Sequence, residues 1–119
     1  MLEELLVAKY ANYGKTSPSG GLYLPLATSK QFVNECTSLK VAIIGLEFFH
    51  IGPEYVMPVS PLNGIDCSIF LKTSTSWDEV VNRCNEAAIK VLQQEEKRDH
   101  TQWYNPTLFE RDEWVQASP

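Results

Sequence analysis

The side chains best suited to nucleophilic or metal chemistry in this chain are Cys36, Cys67, Cys84, His50 and His100. Cysteine catalysis needs a thiolate beside a base. His50 ends one apolar stretch and Cys67 falls in the next, so this is the pair that could bring thiol and imidazole together. A strand-end histidine satisfied by a backbone carbonyl is the commoner arrangement and the one expected here. The two histidines stand fifty residues apart, and no two cysteines have the short spacing of a zinc or redox motif. Neither a metal site nor a disulfide framework is therefore expected. Each thiol lies in an apolar run, which predicts buried free cysteines in a reducing compartment.

Two further motifs fall short. Ser17-Pro18-Ser19-Gly20-Gly21 lacks the first glycine of a Gly-x-Ser-x-Gly elbow and follows an expected helix rather than a strand. Gly14-Lys15-Thr16 matches the end of a phosphate-binding loop, but the earlier glycine is missing and no helix is expected after it. No catalytic residue and no cofactor are expected.

Acids and aromatics remain. Glu47 interrupts an apolar stretch, where strand alternation puts Gly45, Glu47 and Phe49 on one face and Leu46, Phe48 and His50 on the other. It is either a surface carboxylate or a groove-lining acid with a basic partner. From Glu95 to Trp114 the chain holds six carboxylates, three basic residues and four aromatics. Aromatics anchor interfaces, and carboxylates steer and orient them. The candidate partner-binding residues are therefore Glu47, Trp103, Tyr104, Glu110, Asp112, Glu113 and Trp114. The competing expectation is that Trp103, Tyr104, Phe109 and Trp114 seal the sheet instead.

Composition narrows the partner. A chain of 119 residues with 44% hydrophobic and 21% charged residues reads as one globular domain over 1–119, its tail 100–119 packing on that domain or on a partner. The net charge of −5 argues against a phosphate-binding surface and favours a basic protein partner, although such a charge also simply keeps a protein soluble. Glu3 and Glu4 stand where a secretory signal carries positive charge, and no run approaches the roughly 18 apolar residues of a membrane span. The expected compartment is the cytoplasm.

The elements that position these residues follow from periodicity and caps. A helix is expected over Met1–Tyr13, stopped by Gly14, then a loop over Lys15–Gly21. Pro25 demotes Gly21–Leu26 to an edge strand. Thr28 and Gln31 form a capping-box pattern for a helix reaching Leu39. Val41–Ile51 reads as the central strand and Glu54–Val59 as an edge strand. An Asn63-Gly64 turn would then lead to a hairpin-paired strand over Ile65–Leu71. Ser76 and Glu79 start a long helix running to about Asp99. Its apolar face comprises Trp77, Val80, Val81, Cys84, Ala87, Ala88, Val91 and Leu92. Pro106, Thr107 and Glu110 suggest a short helix over Leu108–Trp114. This order predicts an α+β domain with a small, mainly antiparallel sheet of three to four strands and helices packed on it.

Ile44-Gly-Leu-Glu-Phe-Phe49, Ser76-Trp-Asp-Glu-Val-Val81 and the stretch from Trp103 to Trp114 resemble the small α+β immunity proteins of bacterial polymorphic toxin systems. The resemblance extends over the whole chain in length and class, with no catalytic signature. It implies a cytoplasmic, non-enzymatic protein that binds and blocks a cognate toxin, often a nuclease domain with a basic substrate face. The alternatives are a structural or adaptor subunit whose tail packs on itself or on a second copy of the chain, and, third, a Cys/His enzyme.

Overall fold

A computed structural model of the chain describes residues 1–59 and 64–117. The helices are α1 (Leu2–Tyr10), α2 (Ser29–Ser38), α3 (Ile69–Thr73), α4 (Trp77–Arg98) and α5 (Arg111–Ala117). The strands are β1 (Lys15–Thr16), β2 (Leu22–Pro25), β3 (Ala42–Ile51), β4 (Val56–Pro58), β5 (Gly64–Asp66) and β6 (Trp103–Phe109). Every pairing is antiparallel, in the order β1-β2-β6-β3-β4, with β5 also on β3. The expected α+β class holds, but among the described residues the sheet has six strands rather than three to four.

β3 is the spine. Its β-branched and aromatic side chains suit a pleated, largely covered strand. β6 pairs along it from Ala42↔Phe109 to Phe49↔Trp103, with a bulge between Ile43 and Gly45. The expected hairpin between the next two strands does not form. Instead β4 and β5 lie end to end on the other edge of β3, against Phe49–Ile51 and Gly45–Glu47 respectively. Asn63 of the expected turn lies outside the described residues. The strand expected over Ile65–Leu71 stops at Asp66, whose carboxylate accepts from the Ser68 N–H (2.9 Å) and turns the chain into α3.

The largest correction is β6, where a short helix was expected from Leu108. Pro106 lies inside this central strand, which the general rule disfavours because proline has no N–H for the ladder. The neighbouring side chain makes good the loss. Continuing the register from Leu24↔Tyr104 puts Leu22 opposite Pro106, and the Asn105 side-chain amide donates to the Leu22 carbonyl at 2.8 Å. The helix that follows begins only at Arg111, and the Glu113 carboxylate accepts from the Glu110 N–H (3.1 Å) at its start.

The long helix matches its signals. Ser76 accepts from the Glu79 N–H (3.1 Å), while Glu79 reaches back to Thr75 rather than to Ser76 itself. Trp77, Val80, Val81, Cys84, Ala88 and Leu92 are buried as its apolar face requires. At α2 the capping pattern misleads. The Thr28 hydroxyl donates to the Pro25 carbonyl and meets the Tyr104 hydroxyl, so it does not cap the helix. That helix ends in a Schellman turn, with Val41 N–H on the Cys36 carbonyl and Lys40 N–H on that of Thr37. Lys40 takes the left-handed conformation (φ 60°) usually given to glycine there.

Two buried clusters result. The larger joins α1, α2 and the C-terminal half of α4 to the sheet through residues such as Tyr10, Phe32, Leu46, Phe48, Leu92 and Tyr104. The smaller gathers Ala42, Cys67, Trp77, Val80, Val81 and Cys84, with Phe109 and Trp114 packed against it. Each large apolar side chain so buried contributes about 1.5–3 kcal/mol.

Candidate functional site

Strand parity gives the sheet two faces: the larger cluster covers one, and on the other the smaller cluster covers Ala42 and Phe109 at one end of β3 and β6, leaving the opposite end, the open face, outside both clusters. Leu24, Tyr104, Phe48 and Leu46 share the covered face and are fully buried. Tyr23, Trp103, Asn105, Phe49 and Glu47 alternate with them and point the other way. Tyr23, Phe49 and Trp103 are half-buried and belong to neither buried cluster, while Glu47 is exposed. Phe49 stands directly opposite Trp103, and the Tyr23 ring meets the Phe49 ring edge to face at 5.2 Å. Ile51 and its partner Val56, 50% exposed, extend the apolar surface toward the β4 edge. The Lys15 ammonium lies 5.9 Å from the centre of the Trp103 ring.

Of the seven residues that the sequence nominates, this face holds Glu47 and Trp103. Tyr104, one residue along from Trp103, has the opposite parity. It is fully buried, with its hydroxyl 3.0 Å from that of Thr28 and its ring against Phe32, so it offers a partner no surface. Trp114 closes the smaller cluster, its ring 5.8 Å from that of Trp77 and its indole N–H on the Leu71 carbonyl (2.9 Å). Glu110 binds the start of α1, accepting from the Leu2 and Glu3 N–H groups and from the Met1 ammonium at 2.7 Å. Its hydrogen bond from that ammonium holds the carboxyl below the usual carboxylate range. Asp112 and Glu113 are exposed on α5, beyond the far end of β6 from Trp103. The tail is thus mostly fold, and Glu47 joins Trp103 on a surface that no tail motif describes. Tyr23, Phe49 and Lys15 were not nominated. The alternation of β3 already placed Phe49 beside Glu47, but Tyr23 and Trp103 join them only once β6 is recognised as a strand.

Among the described residues, the thiols, His50 and Ser17 are not brought together. Cys67 N–H bonds the Ile44 carbonyl, six residues along β3 from His50. That spacing amounts to about 20 Å of strand. All three thiols are buried, and burial pushes Cys36 and Cys84 up to about 12. The Cys84 thiol points at the Cys67 carbonyl (3.8 Å). Ser17 is tied into its own turn, with its hydroxyl accepting from Gly21 N–H (2.9 Å). Carboxylate oxygens of Glu3, Glu110 and Glu113 come within 4.8 Å of one another, but backbone N–H groups already engage Glu110 and Glu113. A cleft of about 530 Å³ beside the start of α4 is lined by Lys40, Ser76, Trp77, Asp78, Arg111 and Asp112, among others. Its charges are mixed, Lys40 pairs with Asp78 (3.1 Å), and the Ser76 hydroxyl is spent on its helix. Among the described residues, no helix is long and apolar enough to cross a membrane.

Comparison with known protein families, with curated proteins and with solved structures finds no match to this chain.

Proposed function

We propose that this chain is a non-enzymatic, cytoplasmic binding protein that covers a basic protein partner with the open face of its sheet. On the resemblance stated above, the partner is a cognate bacterial toxin domain and the chain is its immunity protein. The observation that carries the reading is the half-buried set Tyr23, Phe49 and Trp103, left outside both buried clusters with exposed Glu47 beside it. Contiguous apolar surface rimmed by charge is where protein partners dock. The net charge of −5 favours a basic partner and fast, salt-sensitive association. Acidic residues of the tail, Asp112 and Glu113 first among them, then contribute to steering rather than to contact.

A second reading, a structural or adaptor subunit, draws support from the tail's place in its own fold, since β6 is a central strand. In that case the open face meets a second copy of the chain.

The test uses the chain as bait in a lysate of its source organism, beside a Glu47→Lys/Trp103→Ser variant first shown to melt like the parent. The expected result is a basic protein retained by the parent, released by salt and lost by the variant. Equal recovery by both baits overturns the reading. Dimers of the parent in sedimentation, dissociated in the variant, replace it with the second reading.

A further inference from the structure

We propose that Trp103, Phe49 and Glu47 form a seat for an arginine side chain presented by the partner. The inference rests on the open face being the docking surface and adds the chemistry that it recognises. Trp103 and Phe49 occupy directly opposite register positions on this face, and the Phe49 ring also meets that of Tyr23. Glu47 lies two residues from Phe49 on the same side, diagonal to Trp103. Diagonal neighbours in a sheet are roughly 7–8 Å apart, within the span of a guanidinium that stacks on a ring and pairs with a carboxylate at its edge. Glu47, like exposed Glu54, Glu86 and Glu96, has neither an ion pair nor a side-chain hydrogen bond among the described residues, and it stands on β3 beside Phe49. Its carboxylate is therefore available to an incoming cation.

The chain also shows that the indole face accepts a cation. Lys15, held on the two-residue outer strand β1, sets its ammonium 5.9 Å from the Trp103 ring centre, inside the range of cation–π attraction. Lys15 is exposed and its stem is flexible, so it can be displaced. It then acts as a placeholder that an incoming cation must replace. Arginine suits the seat better than lysine because its plane stacks on an indole while its N–H groups reach a carboxylate in pairs. A purely apolar partner would desolvate Glu47 without pairing it, which is costly. Single-stranded nucleic acid would stack on the rings, but its phosphates would be repelled by Glu47.

The test needs no partner. Acetyl-Gly-Arg-Gly-Arg-Gly-amide is titrated into the protein and followed by NMR at the Trp103 indole and the Phe49 ring. The same measurement is made with the lysine and glutamate versions of the peptide and with octathymidylate. The arginine peptide should shift both rings and bind more tightly than the lysine version, and the glutamate peptide should leave the rings unmoved. Glu47→Gln, a shape-preserving change at an exposed position, should weaken the arginine peptide by about threefold to fivefold, the scale of one partly exposed charge pair. Lys15→Ala should tighten it. Unmoved rings, equal binding to Glu47→Gln, or tighter binding of octathymidylate or the glutamate peptide would overturn the proposal. If the arginine peptide binds here while the captured partner contacts another surface, the seat stands and the proposed docking face falls. If the partner binds this face and the peptide does not, only the seat falls.

Discussion

Asn85 shows at the residue scale how one polar side chain completes a sheet. β5 ends its pairing at Gly45 of β3, and among the described residues the edge from Val41 to Ile43 has no strand neighbour on that side. Asn85, 3% exposed on α4, fills that place. Its Oδ1 accepts from the Ile43 N–H (2.8 Å), and its Nδ2 donates to the Val41 carbonyl (3.0 Å) and to the Thr37 hydroxyl (2.9 Å). A side-chain amide here does the work of a peptide group. Asn85→Ala strands a buried donor and a buried acceptor and should lower stability by about 2–4 kcal/mol in urea melts. A change under roughly 0.5 kcal/mol would mean that water replaces the amide at this edge. Residue type alone did not reveal this role, because the partners of Asn85 lie more than forty positions away. The same limit governs the tail, where Trp103 and Tyr104 look alike in sequence. Only the parity of β6 sends one to the open face and the other into the core.

The elements whose signals are local were legible, and those whose logic is tertiary were not. Ser76-Trp77-Asp78-Glu79 announced α4 because the cap, the dipole-favoured acids and the apolar stripe all lie within a few residues of one another. Ser76→Ala should cost about 0.5–2 kcal/mol in denaturant melts while leaving partner binding unchanged. A neutral result would place the start of the helix elsewhere. β3 was legible for the same reason, through a continuous run of strand-forming residues. β6 was hidden by Pro106, a helix-start signal next to Thr107 and Glu110. Its strand character depends on Asn105 donating to Leu22, a residue from the other end of the chain. The short strands β4 and β5 were misread as a hairpin because nothing local indicates that a ten-residue β3 has room for both along one edge.

At the scale of the whole molecule, the larger buried cluster lies on one side of the sheet; on the other, the smaller cluster covers the Ala42–Phe109 end, and Tyr23, Phe49 and Trp103 lie outside both. Burial of the core has a titration signature. Cys36 and Cys84 are raised by burial from 9.0 to about 12, and burial likewise raises Tyr10 and Tyr104 above their ordinary value of 10.0. The unfolded chain releases these protons from about pH 9, whereas the native chain holds them. The stability they confer is therefore complete below pH 9 and declines as pH rises toward 12. Thermal melts from pH 7 to 12 should show that decline, and a flat melting temperature to pH 12 would contradict it. The direct measurement is hydroxyl-radical footprinting of the chain alone and bound to its captured partner. Tyr23, Phe49 and Trp103 should lose labelling on binding, while Tyr13, 52% exposed near α1, should label equally in both states. Unchanged labelling of the three open-face aromatics, with protection of Tyr13 or of α5 instead, would contradict the account.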